Sequence, residues 1–260
     1  KMKFEVENGA FWYDKKAPVL SDINFSFETP EIVSVLGPNG VGKTTLLRCA
    51  LGLLSWKEGS TMLDGKNIKS IKQKERWQSI SYVPQAKVNS FSYTVEEMVL
   101  LGRSAHLGEL SHPGKVDLEI ATEAMDIVKI THLRKKLCNE ISGGEYQMAL
   151  IARALATKPS LIVLDEPESN LDFKNQLLVQ NTIRDLCQSQ KIGTLVNTHF
   201  PHHALEISDK SLLLMNDGTS IFGKTEEVLS ETNLGMAFDV DISIQKFEMM
   251  NKTHYCVLSA

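Results

Sequence analysis

The chain has 260 residues, 42% hydrophobic and 23% charged, and its 28 Lys and Arg against 32 Asp and Glu give a net charge of −4. That length allows one large domain or two modest ones at roughly 150 residues each, and the composition is that of a soluble globular protein rather than a disordered or membrane-embedded one. The acidic balance offers no global positive field, so no nucleic-acid partner is expected. Cys49, Cys138, Cys187 and Cys256 are far apart and form no C-x-x-C pair, which points to a reduced cytosolic setting rather than a zinc site or disulfide framework. No apolar run approaches the roughly 20 residues that span a bilayer, and the N-terminus lacks a signal-peptide pattern. Any membrane association is expected to run through a partner.

Residues 2 to 36 alternate short apolar strands with turns ("FEVENG", "VLSDINFSF", "EIVSVL"), predicting antiparallel strands that lead into a buried one. After "GPNGVGKTT" the apolar spacing of "LLRCALGLL" predicts a helix ending near Gly52. A strand-turn-strand segment carries "GSTMLDGKNI", and "SISYVPQ" is a further strand stopped at Pro84. From about 86 to 159 "VEEMVLLGRSAHLG", "DLEIATEAMDIVKI" and "EYQMALIARALATK" are helix-patterned without a clear strand between them, so a helical subdomain is expected there, inserted into an α/β core. The core resumes with "LIVLDE", the helix "NQLLVQNTIRDLCQSQ", the strand "GTLVNTH" and "KSLLLMNDG", an order that implies parallel strands flanked by helices. From Met236 on, "AFDVDISIQKF" alternates like an exposed strand; the tail 236–260 has no evident role.

Gly37, Pro38, Asn39, Gly40, Val41, Gly42, Lys43 and Thr44 satisfy G-x-x-x-x-G-K-[ST] between a predicted strand and a predicted helix, the context this motif requires. Glycines let backbone N–H groups turn inward toward phosphate oxygens, and the following helix presents its positive end. Lys43 would reach the β and γ phosphates of a nucleotide, and the Thr44 hydroxyl would hold Mg²⁺; Thr45 follows in the same turn. The strand "LIVLDE" ends in Asp165 and Glu166 at its carboxyl end, where open α/β sheets bind ligands. Asp165 is expected to serve Mg²⁺ and Glu166 to act as general base on the attacking water. The two acids could instead merely cap a turn before Pro167.

Ile141, Ser142, Gly143, Gly144 and Glu145, a short way ahead of that strand, resemble the L-S-G-G-Q signature of ABC ATPases. On its own, S-G-G before a helix is only an N-cap. The resemblance extends over about residues 2–235 and implies the P-loop NTPase (RecA-like) fold: an α/β core with an N-terminal antiparallel β subdomain and an inserted α-helical subdomain. Gln85 in "YVPQ" looks like the Q-loop glutamine, a Mg²⁺ and water contact; "SNLD", ending in Asp172, looks like the D-loop. Tyr13 resembles the A-loop aromatic that stacks on adenine, although an ordinary core aromatic would read the same way. His199 falls at the family's switch histidine. Glu145 in place of Gln sets a charge beside a phosphate-facing helix start, which would weaken binding in trans unless it points away. "THFPHH" in place of T-H-D lacks the acid after the histidine.

The resemblance implies ATP hydrolysis with ATP and Mg²⁺, by two copies of the chain stacked head to tail so that each ATP lies between one phosphate loop and the other copy's Ser142, Gly143, Gly144 and Glu145. "VPQAKVNSFSYTVEEMVLLGRSAHLG" is similar to the type II importer branch that serves iron siderophores, haem, cobalamin and molybdate. That implies a peripheral subunit at the cytoplasmic face of the membrane, working with a transmembrane permease dimer and, indirectly, a substrate-binding protein. An iron complex is the expected cargo; molybdate, another oxyanion or cobalamin is the alternative, and a detached exporter or a soluble ABC ATPase the remoter ones. Phe91 and Tyr93 are candidate permease contacts, unless they pack the subdomain core. His199, His202 and His203 lie close enough to suggest a metal cluster. Pro201, a first-turn residue, separates them, so one sensor histidine and two helix-start neighbours is the preferred reading.

Overall fold

Alternating burial in β1 (Lys3–Phe11) and β2 (Leu20–Glu28) puts Phe4, Val6, Ile23, Phe25 and Phe27 in the core and their neighbours toward solvent. The structure, a computed structural model, describes residues 1–14, 18–86, 92–108, 111–249 and 252–259. The chain forms two compact units, Lys1–Ile71 with Gly193–Ala260, and Lys72–Ile192.

In the first unit β3 (Ile32–Leu36) is buried at every position and runs through a glycine loop into α1 (Lys43–Ala50), whose Leu46, Leu47, Cys49 and Ala50 face the core. β4 (Glu58–Leu63) and β5 (Lys66–Asn67) complete an antiparallel sheet of order β2-β1-β4-β5, the expected N-terminal β subdomain.

The second unit opens with α2 (Gln73–Ser79) and β6 (Ile80–Val83). The helices expected between 86 and 159 follow as α3 (Val95–Leu100), α4 (Lys115–Ile127) and α5 (Gly143–Ala156), with no strand among the described residues between them. α3 and α5 begin with the same reciprocal cap: the Thr94 and Ser142 hydroxyls accept the N–H three residues on, and Glu97 and Glu145 reach back. β7 (Leu161–Asp165), fully buried, and α6 (Phe173–Gln188) close this unit, which is therefore wider than the helical stretch alone.

The first unit resumes with β8 (Gly193–Asn197), α7 (Pro201–Ile207), β9 (Lys210–Leu214) and β10 (Ser220–Lys224). There β3 is flanked by parallel β8 and β9, and β10 pairs antiparallel with β9. α8 (Thr225–Val228), α9 (Glu231–Phe238) and a hairpin of β11 (Ile242–Met249) and β12 (Lys252–Ser259) end the chain. The strand expected from Met236 therefore starts only at Ile242. The Ser230 hydroxyl accepts the Asn233 N–H, and this cap commits the preceding residues to α9.

Candidate functional site

Parallel pairing of Val35 with Asn197 and of Leu36 with Leu213 brings the carboxyl ends of β3, β8 and β9 to one edge of the first unit. The loop leaving β3 turns on Gly37, Gly40 and Gly42 at φ of 148°, 79° and 113°, values that L side chains rarely adopt. A Cβ on Gly40 would meet nothing within 4 Å, so the backbone turn, not crowding, calls for glycine at this exposed tip. Lys43 is 5% exposed and curls back to donate from Nζ to the carbonyls of Gly37 and Pro38, each at 2.9 Å. An ammonium inside a loop at the mouth of an uncapped helix is the donor set a polyphosphate takes: α1 has no side-chain cap and no acid in its first turn. Thr44 and Thr45 are half-buried in that turn.

Tyr13 is 68% exposed, so the core-aromatic reading does not apply. Its hydroxyl lies 3.3 Å from Thr45 Oγ1 and its ring sits edge-on to Phe11. β8 stops at Asn197, and His199 follows two residues later, half-buried, at the same sheet edge as the loop. Pro201 opens α7, and His202 and His203 occupy its first turn with ring centroids 4.2 Å apart and Phe200 beside them. Among the described residues no group of three or more His, Cys, Asp or Glu is placed to hold a metal ion.

In the second unit β6 and β7 run parallel with Tyr82 opposite Val163 and Val83 opposite Leu164. Continued two residues, that register sets Gln85 against Glu166, and Gln85 Nε2 donates to Glu166 Oε2 at 2.9 Å. The Ser169 hydroxyl donates to the same oxygen at 3.1 Å, and Glu166 takes a φ of 51° that turns the chain off the strand. Asp165, 5% exposed, accepts the Tyr82 hydroxyl at 3.0 Å. The two acids thus hold different partners, one at the buried strand end and one at the turn.

Ser142 is exposed at the start of α5, and its hydroxyl accepts the Glu145 N–H at 3.3 Å. Glu145 Oε2 in turn accepts the Ser142 N–H at 2.8 Å and the Ser142 hydroxyl at 2.9 Å. The carboxylate is folded onto its own helix start, and the Ser142 N–H holds its carboxyl below the ordinary range. Gly143 is exposed; a Cβ on Gly144 would lie 2.3 Å from the Asn175 side chain, so the second glycine admits α6.

A family model for the ABC transporter matches residues 20–169. The chain belongs to the ABC transporter ATPases. The molybdate import ATP-binding protein MolC of Haemophilus influenzae is 36% identical over 97% of this chain and 95% of its own. An ATP-binding protein of Helicobacter pylori described as a probable iron chelatin transport subunit is 34% identical over 93% and 94%. A metal-chelate type ABC transporter in an inward-facing conformation superposes with a TM-score of 0.88 at 34% identity, covering 100% of this chain and 97% of that one.

Within this ABC cassette Asp172 is the N-cap of α6, its Oδ1 accepting the Asn175 N–H at 2.8 Å. Tyr93 is 39% exposed beside Thr94, whereas Phe91 lies outside the described residues. Motif reading missed Tyr82 and Ser169, the partners of Asp165 and Glu166. Ser169 stands in the quoted "SNLD" and could have been found; Tyr82 needs the β6–β7 pairing, which no motif carries. Among the described residues no helix is long and apolar enough to cross a membrane.

Proposed function

We propose that this ABC ATPase powers a membrane importer for a metal chelate, an iron complex first. The observation that carries the catalytic part is Glu166, held at the end of β7 by Gln85 and Ser169 beside the buried Asp165. Lys43, Thr44, Thr45 and the N–H groups of Gly37, Asn39, Gly40, Val41 and Gly42 hold the phosphates of ATP, and Tyr13 stacks on the adenine. Glu166 takes a proton from the attacking water, and His199 steadies the γ-phosphate. Mg²⁺ would take oxygens from Thr44, Gln85 and Asp165, a hydroxyl, a carboxamide and a carboxylate that suit a hard cation. It would neutralise charge that develops on the phosphates.

Residues 2–235 form the nucleotide-binding domain, and 86–159 the helical part that receives the permease, with Tyr93 and Phe91 among its contacts. Two copies stack head to tail, so that Ser142, Gly143, Gly144 and Asp172 of one complete the ATP site of the other. The pair sits peripherally at the cytoplasmic face beneath a permease dimer fed by a substrate-binding protein.

Reconstituted with that permease, the chain is expected to drive ATP-dependent uptake of a ferric chelate. Glu166→Gln is expected to lower ATP turnover by roughly 10²- to 10⁴-fold while ATP still binds. Near-normal turnover in that variant removes Glu166 from the base role. The relative named for molybdate import favours a second cargo, and uptake of molybdate in place of the chelate decides for it.

A further inference from the structure

The Ser142 hydroxyl carries one proton, and in this structure that proton goes to Glu145 Oε2 at 2.9 Å. The same carboxylate oxygen holds the Ser142 N–H at 2.8 Å, so one anion occupies both donors of Ser142 at the exposed start of α5. Any phosphate oxygen arriving there must take the hydroxyl proton from Glu145 and then face the carboxylate across it. Charge-assisted hydrogen bonds are the stronger kind, so the exchange is resisted both by the bond that is broken and by repulsion of like charges. Lys136 and His132 reach Glu145 through charge alone, and the hydrogen bonds to its carboxylate come from Ser142.

We propose that Glu145 is a positioning residue that latches Ser142 onto its own helix and thereby sets the ATP concentration at which two copies close. The inference rests on the reading above in which Ser142 completes the second copy's ATP site. A glutamine here, the residue of the L-S-G-G-Q pattern, keeps the reciprocal cap through its amide oxygen but removes the charge. The latch weakens while the helix start stays folded. Aspartate keeps the charge and also serves at this cap position, as Asp117 does by accepting the Gly114 N–H at the start of α4.

The test uses the full-length chain in a Glu166→Gln background, where ATP-driven dimerisation is followed by light scattering as ATP is titrated. Glu145→Gln is expected to lower the half-maximal ATP concentration about five- to tenfold, and Glu145→Asp to leave it within twofold. In chains that keep Glu166, KM for ATP should fall with Glu145→Gln by more than kcat changes. An unchanged or raised midpoint in Glu145→Gln overturns the latch. Ser142→Ala separates the two readings. If it raises the midpoint while Glu145→Gln does not lower it, the latch alone fails; if it leaves the midpoint untouched, the placement of Ser142 at the second copy's ATP fails.

Discussion

The Tyr82 hydroxyl donates to the buried Asp165 carboxylate at 3.0 Å. A hydrogen bond to a charged group contributes about 1.5–3 kcal/mol, and removing it leaves the acid to reorient. Tyr82→Phe is expected to lower the melting temperature by roughly 3–12 °C, at about 2–4 °C per kcal/mol for a chain of this size, and to cut ATP turnover several-fold. Calorimetry and an ATPase assay check this, and an unchanged melting temperature would show that the bond contributes nothing. Asp165, Glu166 and Gln85 were each legible in the sequence because each sits in a short motif with its own chemistry. Their mutual arrangement was not, since it depends on which strands lie side by side. For Glu145 the sequence raised the alternatives of a charge aimed at phosphate or turned away, and the S-x-x-E cap decides for its own helix.

At the scale of elements, local signals did most of the work. Helix-spaced apolar residues gave α1, α3, α4, α5 and α6, and Pro201 marked α7 at its first residue. The C-terminal hairpin was only half read, because β12 is a partner recognised by pairing, not by a motif. One face of the hairpin packs Ile242, Ile244, Tyr255 and Val257 on a core cluster that includes Ala204 and Leu205 of α7, Val228 of α8 and Leu234 of α9. Polar ties fasten it further: His254 Nδ1 lies 3.0 Å from Glu206 of α7, and the Tyr255 hydroxyl donates to Glu226 of α8 at 2.6 Å. Deleting residues 242–260 uncovers that cluster, so a loss of about 4 kcal/mol is expected from four partly buried apolar side chains. Urea unfolding of the truncated chain measures it. A midpoint equal to that of the full chain would make the hairpin an appendage instead of part of the first unit's core.

For the whole molecule, the charges that matter to acid stability sit at helix starts and turns. The Thr94 N–H holds Glu97 below its ordinary range at the start of α3, and the Arg103 guanidinium does so for Asp117 at the start of α4. The Ser142 N–H lowers Glu145, the Thr219 hydroxyl lowers Asp217, and the Tyr255 hydroxyl lowers Glu226 under the hairpin. A carboxyl with a depressed pKa in the folded chain binds its proton more readily when unfolded, so it stabilises the fold above the ordinary carboxylate range of about 3.9–4.3. That contribution is lost as pH falls through the lower folded values. From these groups the melting temperature is expected to be flat between pH 6 and 8 and to fall as pH drops below about 4, each exposed carboxyl contributing a small share. Three of the five cap α3, α4 and α5, so helical circular dichroism should decline together with melting temperature. Replacing those three by Glu97→Gln, Asp117→Asn and Glu145→Gln should flatten the acid limb, because the amides keep cap geometry without a proton to take up. If the triple variant melts along the parent's acid curve, the caps are not where acid acts.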